Sequence, residues 1–150
     1  YAGEADWHKI AAVVDAVSIP VIANGDIRCA RTAMQAMAVS GAAGVMVGRG
    51  IQGRPWLLAQ IGDVLAGCKM RAAPSIRARH ELMRMHLDDM LSHYGPSAMR
   101  LARKHIACYA YGLPGAAELR DVANNTTDAE TVFAAVDQFF QKLCVEPQAA

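Results

Sequence analysis

Cysteine is scarce in this sequence. Cys29, Cys68, Cys108 and Cys144 are the only four in 150 residues, and no two stand at metal-ligand spacing. No metal site is therefore expected; small, reduced, half-buried thiols are. No apolar run approaches twenty residues, and no signal-peptide layout is present. A soluble cytoplasmic protein with no membrane partner is the expectation. Aromatic residues make up 6% of the chain, and no aromatic-rich RNA-binding motif occurs in its second half. A dominant charge sign is also missing, since the formal net charge is +1. Apolar residues, at 53%, are plentiful. They are ample for a buried core and exclude a disordered chain. The length suits one ordinary domain or two small ones.

The near-zero charge conceals an uneven distribution. Residues 1–68 are net zero, residues 69–105 are net +5 and carry four histidines, and residues 106–150 are net −4. A basic middle between neutral and acidic flanks points to a localised anionic partner.

The most informative motifs are Asn24-Gly25-Asp26-Ile27 and, about twenty residues later, Gly48-Arg49-Gly50. Short apolar segments lead into each, Pro20-Val21-Ile22-Ala23 into the first and Gly44-Val45-Met46-Val47 into the second. A helix-like segment, Cys29 to Ser40, lies between them. Two glycine-containing strand ends joined by a crossover helix read as neighbouring βα units of a parallel sheet. In a (β/α)₈ barrel the loops after the last two strands frequently bind phosphate. Glycine lets the backbone approach a phosphate so that N–H groups point at it, and arginine adds a fixed charge with a fork of donors. The plainer alternative is a pair of tight βα turns. Two such turns at successive strand ends, one with an arginine, favour an anion site.

Along the chain, residues 6–17 read as a helix capped by Asp6, with Trp7, Ile10, Val14 and Val17 facing a sheet. Ile19 to Ala23 reads as a buried strand. The next helix presents Ala30, Ala33, Met34, Met37 and Ala38 on one face. Pro55 starts a helix through Leu65. Beyond a linker at 67–74 the strand signals stop. Ser75 caps a helix to about Tyr94, with Met83, Leu87, Met90, Leu91 and Tyr94 on one stripe. Gly95-Pro96 ends it, and a helix from Ser97 to Tyr111 follows. Gly112 to Gly115 breaks the chain before a short helix, Ala116 to Val122, and a turn at Asn124-Asn125-Thr126. Thr127 to Glu130 forms a capping box for a last helix that buries Val132, Phe133, Val136, Phe139, Phe140 and Leu143.

The fold class is thus α/β: the last βα units of a TIM (β/α)₈ barrel (residues 1–66), then a small all-α bundle (75–150). Two strands cannot close a barrel of eight. The expectation is a C-terminal portion of a longer enzyme or a truncated gene product.

The runs Ile19-Pro-Val-Ile-Ala-Asn-Gly-Asp-Ile27, Gly44-Val-Met-Val-Gly-Arg-Gly50 and Gln52-Gly-Arg-Pro-Trp56 closely resemble the tRNA-dihydrouridine synthases, the bacterial B-type branch above all. The similarity extends through Tyr94-Gly95-Pro96 and Ala102-Arg-Lys-His105. The Gln-Gly-Arg-Pro-Trp segment is its most specific part; the two glycine turns are shared with other FMN barrels. The resemblance implies reduction of a uridine C5–C6 double bond in tRNA, with FMN as cofactor and NADPH as reductant. Asn24, Gly25, Asp26, Gly48 and Arg49 then become the contacts to flavin phosphate and ribityl. Asp26 is ambiguous, since a carboxylate repels phosphate and could instead cap the next helix. The resemblance places the proton-donating cysteine upstream of this chain, so no catalytic residue is assigned here and the chain alone is expected to be inactive. No protein partner is implied beyond that missing part of the barrel.

In the second half, Arg100, Arg103 and Lys104 share one helix face. A solvated face is the ordinary meaning of such a run. The local charge and the resemblance favour contact with tRNA phosphates, extended by Arg77, Arg79, Arg84 and His80. His105 reads equally as a packed histidine or an RNA contact. Arg54 reads as pairing with a local carbonyl or reaching RNA, and Trp56 as packing or base stacking. Two other readings stay open: an FMN barrel acting on a small metabolite, and a non-catalytic RNA-binding chain.

Overall fold

The computed structural model describes residues 3–145. The chain divides into two compact units between Ala73 and Pro74.

The first unit contains α1 (Trp7–Ala16), β1 (Ile22–Asn24), α2 (Ala30–Ser40), β2 (Gly44–Met46) and α3 (Leu57–Leu65). The two strands are parallel, with Ile22 opposite Gly44 and Asn24 opposite Met46. Asp6 caps α1 as expected, accepting from His8 N–H at 3.1 Å. Helix α2 packs between α1 and α3. The core joins Ile27, Ala30, Ala33, Ala36, Leu57 and Ile61, flanked by Trp7, Val45 and Val47. Burying each large aliphatic here contributes about 1.5–3 kcal/mol.

Two expectations for this unit, and one for the cysteines of both units, need correction. The first strand is shorter than Ile19–Ala23 and is not buried: Ala23 faces the helices, while Ile19 and Ile22 are 71% and 53% exposed. Alternate strand residues face opposite sides, and only one side of the pair is covered among the described residues. The buried face of α2 is Ala30, Ala33, Ala36 and Ser40, with Met34 and Ala38 exposed. Helical spacing continues from Ala33 to Ala36 and Ser40, and the small side chains permit close approach. Of the cysteines, Cys29 and Cys108 are half-buried but Cys68 and Cys144 are exposed.

The second unit contains α4 (Ile76–Tyr94), a 3₁₀ turn at Gly95–Ser97, α5 (Ala98–Ala110), α6 (Ala116–Asn125) and α7 (Ala129–Val145). Ser75 caps α4, accepting from Ala78 N–H at 3.2 Å. Met83, Leu87, Met99, Ile106, Val132, Val136 and Phe140 are fully enclosed. On the expected α4 stripe, Leu91 is half-buried and Tyr94 is 50% exposed. Fully buried Ala98, Ala102 and Ala110 let α5 approach its neighbours closely.

Two boundaries differ from expectation. Helix α6 runs on through Asn124 and Asn125. Asn125 Nδ2 donates to Asp121 Oδ1 at 3.0 Å, and Arg103 Nε donates to the Ala123 carbonyl at 3.0 Å, so the last turn is held from both sides. The cap of α7 is Asp128, which accepts from Thr131 N–H at 2.8 Å. Thr126 Oγ1 takes the Asp128 N–H at 3.0 Å. These bonds to Thr131 hold the Asp128 carboxyl below its ordinary pKa. Phe133 and Leu143 are half-buried. No helix among the described residues is long and apolar enough to cross a membrane.

Candidate functional site

The C-terminal ends of β1 and β2 place the two glycine turns side by side. Asn24, Gly25, Asp26, Gly48 and Arg49 all line one cleft of about 580 Å³, together with Ile27, Arg28 and Gly50. Each turn has a local reason for its shape. Gly25 has φ +118, and a Cβ there would fall 2.4 Å from the Ala5 side chain. Gly50 is crossed by the backbone of the first turn: a Cβ would fall 2.4 Å from the Ile27 carbonyl oxygen. At Gly48 a Cβ would meet nothing within 4 Å, so this backbone opens onto free space.

Polar side chains hold the turns together. Arg54 Nη2 donates to the Gly50 carbonyl at 2.9 Å and to the Arg28 carbonyl at 3.2 Å, joining one turn to the other. Local carbonyl pairing is therefore the role of Arg54. Trp7 Nε1 donates to the Gly25 carbonyl at 3.0 Å. Trp56 is half-buried at the N-cap of α3.

Asp26 adopts φ 52, an uncommon conformation for a side-chain-bearing residue. Its Oδ2 accepts from Ala5 N–H at 2.8 Å and its Oδ1 from Arg28 Nη2 at 2.8 Å. The Ala5 bond is the main cause that holds its carboxyl below the ordinary pKa, followed by Arg28, with a weaker contribution from Arg49. Capping of α2 does not fall to Asp26. Thr32 Oγ1 performs it, accepting from Arg28 N–H at 2.9 Å and Cys29 N–H at 3.1 Å. Cys29 is turned to Thr32, and the hydrogen bond from the Thr32 backbone is the first cause of its lowered pKa.

The cleft thus presents two arginines and one carboxylate. The Arg49 carbonyl accepts from Gln52 N–H at 3.2 Å, while its guanidinium forms no hydrogen bond or ion pair with another described residue, so its side-chain donors are available. Arg28 was not singled out from the sequence. Its signal was there: it directly follows the first turn at Ile27. None of the four cysteines lines the cleft.

The second unit uses many of its cations internally. Arg103 Nε bonds the Ala123 carbonyl at 3.0 Å and its Nη2 the Thr126 carbonyl at 3.5 Å. Arg100 and Lys104, the other two residues of that face, are exposed. Arg84 Nη1 and His80 Nε2 both meet Asp137, each at 2.6 Å. Arg84 also lies over the Phe133 ring at 4.5 Å, and the His80 ring stacks on Phe140 at 5.0 Å. Arg77 pairs with Glu81 at 3.2 Å, and Arg79 Nε donates to the Pro74 carbonyl at 3.1 Å. Arg84 and His80, read from the sequence as an extension of the basic patch, are engaged here in fixing α7 on α4. His105 packs edge-on against His86 at 4.8 Å. Burial first, then His86 and Lys104, push its pKa down. Burial alone raises that of neighbouring Tyr109. Among the described residues no group of three His, Cys, Asp or Glu is placed to hold a metal ion.

Fold and site together define a class: βα units carrying an arginine-lined cleft at their strand ends, followed by a helical unit. Comparison with known proteins narrows this. The family model described as dihydrouridine synthase matches residues 1–144. This chain belongs to the dihydrouridine synthase family. It is 46% identical over 143 residues to a Rhodobacter capsulatus protein named as a probable tRNA-dihydrouridine synthase, covering 95% of this chain and 44% of that protein. A Rickettsia typhi protein of the same description is 42% identical, with the same shares covered. The tRNA-dihydrouridine synthase B of Pseudomonas syringae is 38% identical over 98% of this chain and 44% of its own length. The chain therefore spans under half the length of these relatives, matching their C-terminal part. The family is built on a TIM barrel, and the parallel pair with its helices is consistent with a piece of one.

Proposed function

We propose that this chain forms the flavin-phosphate-binding βα units and the RNA-docking helical unit of an enzyme that reduces uridine to 5,6-dihydrouridine in tRNA. The observation that carries this reading is the convergence of Asn24, Gly25, Asp26, Gly48 and Arg49 on one cleft. The residues fit the phosphate end of FMN. Arg49 offers a fixed charge, Gly48 leaves open space at the backbone, and the turns are braced by Arg54 before any ligand arrives. Bound there, FMN would supply the hydride chemistry that reduces uridine at C6, with NADPH as reductant. The chain's own residues bind and orient the cofactor. In this reading Asp26 acts through Ala5 and Arg28 and supports the turn without touching phosphate. The group that protonates C5 is assigned, in this reading, to a cysteine of the longer enzyme.

Arg100 and Lys104 are the RNA contacts that fit best, with Arg103 completing the face while anchored to α6. Such contacts position a folded RNA by its phosphates, and one uridine is extruded for reduction. The test uses an enzyme that carries this sequence as its C-terminal part, with FMN, NADPH and tRNA lacking dihydrouridine. Dihydrouridine formation is expected there and none from the 150-residue chain alone. No product from the longer enzyme would retire the reading.

A further inference from the structure

Arg28 is held more firmly than an exposed arginine needs to be. Its N–H donates to Thr32 Oγ1 at 2.9 Å, and its carbonyl accepts from Arg54 at 3.2 Å. Its side chain is 70% exposed, yet Nη2 is fixed on Asp26 Oδ1 at 2.8 Å. Asp26 is itself anchored, with its other oxygen on Ala5 N–H at 2.8 Å. The remaining guanidinium donors bond no other described residue, and Arg28 lines the same cleft as Arg49. A solvent-facing ion pair contributes little to stability, so stability alone does not account for this bracing. A cation held ready at a binding cleft does account for it, because the ligand then need not order it.

We propose that Arg28, positioned by Asp26, is a second anion-contacting side chain of the cleft. With Arg49 it makes the cleft selective for a doubly charged phosphomonoester over a singly charged phosphodiester. The inference rests on the cleft being the flavin-phosphate site and adds its charge preference. Two arginines against one carboxylate leave one net positive charge. The forks of both arginines suit the three free oxygens of a terminal phosphate better than the two of a diester. The same preference keeps RNA backbone phosphates from competing for the cleft.

Methyl phosphate and dimethyl phosphate at pH 8 are matched probes, titrated into the 150-residue chain while the amide signals of Gly25, Gly48 and Arg49 are followed by NMR. The wild type is expected to bind the monoester roughly tenfold more tightly than the diester. Arg28→Ala is expected to lose most of that preference, and Arg28→Lys to recover part of it. Asp26→Asn separates positioning from plain electrostatics. Removing a carboxylate should raise anion affinity if charge alone matters. Loss of positioning should lower monoester affinity by about threefold. A preference retained in Arg28→Ala, or monoester affinity raised in Asp26→Asn, overturns the proposal while leaving the cleft an anion site. A wild type that binds neither probe overturns both together.

Discussion

The two units organise charge in opposite ways. In the first, Arg54 and Asp26 brace the glycine turns, and this leaves Arg49 unpaired at a cleft. In the second, Arg84 and Arg103 lie between helices and serve the packing, and only Arg100 and Lys104 of the α5 face stay open. The balanced unit therefore carries the more accessible arginine side chains at a cleft. The basic stretch carries less usable charge than its sequence total implies. Net charge along a sequence counts cations; it does not say which of them are already engaged.

The contrast extends to how each unit is held. The helical unit closes around large enclosed side chains, with Phe140 at its centre. The βα unit has few large buried residues and depends on close backbone approach at its turns. The largest expected effect is therefore Phe140→Ala, which should destabilise the helical unit by about 3–5 kcal/mol in urea unfolding. Amide exchange in the βα unit should stay unchanged, and equal loss in both would mean that the units are not separate. Next comes Gly50→Ala. Its Cβ would meet the Ile27 carbonyl oxygen at 2.4 Å, and that backbone cannot easily yield. Overpacking of this kind costs about 1–3 kcal/mol, here confined to the βα unit. It should also misalign Arg28 and Arg49, so phosphate-induced shifts at Gly48 should vanish.

A smaller effect concerns RNA. Arg100→Glu with Lys104→Glu should weaken tRNA binding and flatten its salt dependence by about two units of slope or slightly less. Arg77→Glu, which only breaks an exposed pair with Glu81, should change affinity little. Filter binding at several salt concentrations checks both. Equal slopes for all proteins would make the α5 face an ordinary solvated surface.

The smallest effect is on pH. The pKa of His105 lies below its ordinary value of 6.5, through burial first and then His86 and Lys104. Protonation is thus easier in the unfolded chain than in the folded one. Stability from this site is complete above about pH 6.5 and falls as pH drops through the folded pKa. The helical unit should melt at a lower temperature at pH 5 than at pH 7.5, and His105→Gln should shrink the difference.

The legible part of the structure is the part fixed by local chemistry. Asp6 and Ser75 announce their helices because a cap needs only a side-chain oxygen near free N–H groups. The two glycine turns are readable because strand, turn and helix follow each other within a few residues. Long-range commitments are not readable in this way. Nothing near Arg103 in sequence shows that its partners are Ala123 and Thr126, and Asp137 lies 57 residues from His80. Asp26 was read as a phosphate contact or helix cap, yet its partner Ala5 stands 21 residues earlier. The strand Ile19–Ala23 was read as buried from its apolar run, but burial depends on what covers both faces of a sheet, which no local pattern encodes.

The central claim is that the paired strand ends bind the phosphate of a flavin mononucleotide. The most direct measurement compares FMN with riboflavin, which lacks that phosphate, by following the amides of Gly25, Gly48 and Arg49 during titration. FMN is expected to shift these signals at concentrations where riboflavin does not, and Arg49→Ala should weaken the FMN effect by roughly tenfold or more. Equal responses to the two flavins, or an FMN response that survives Arg49→Ala unchanged, would contradict the claim.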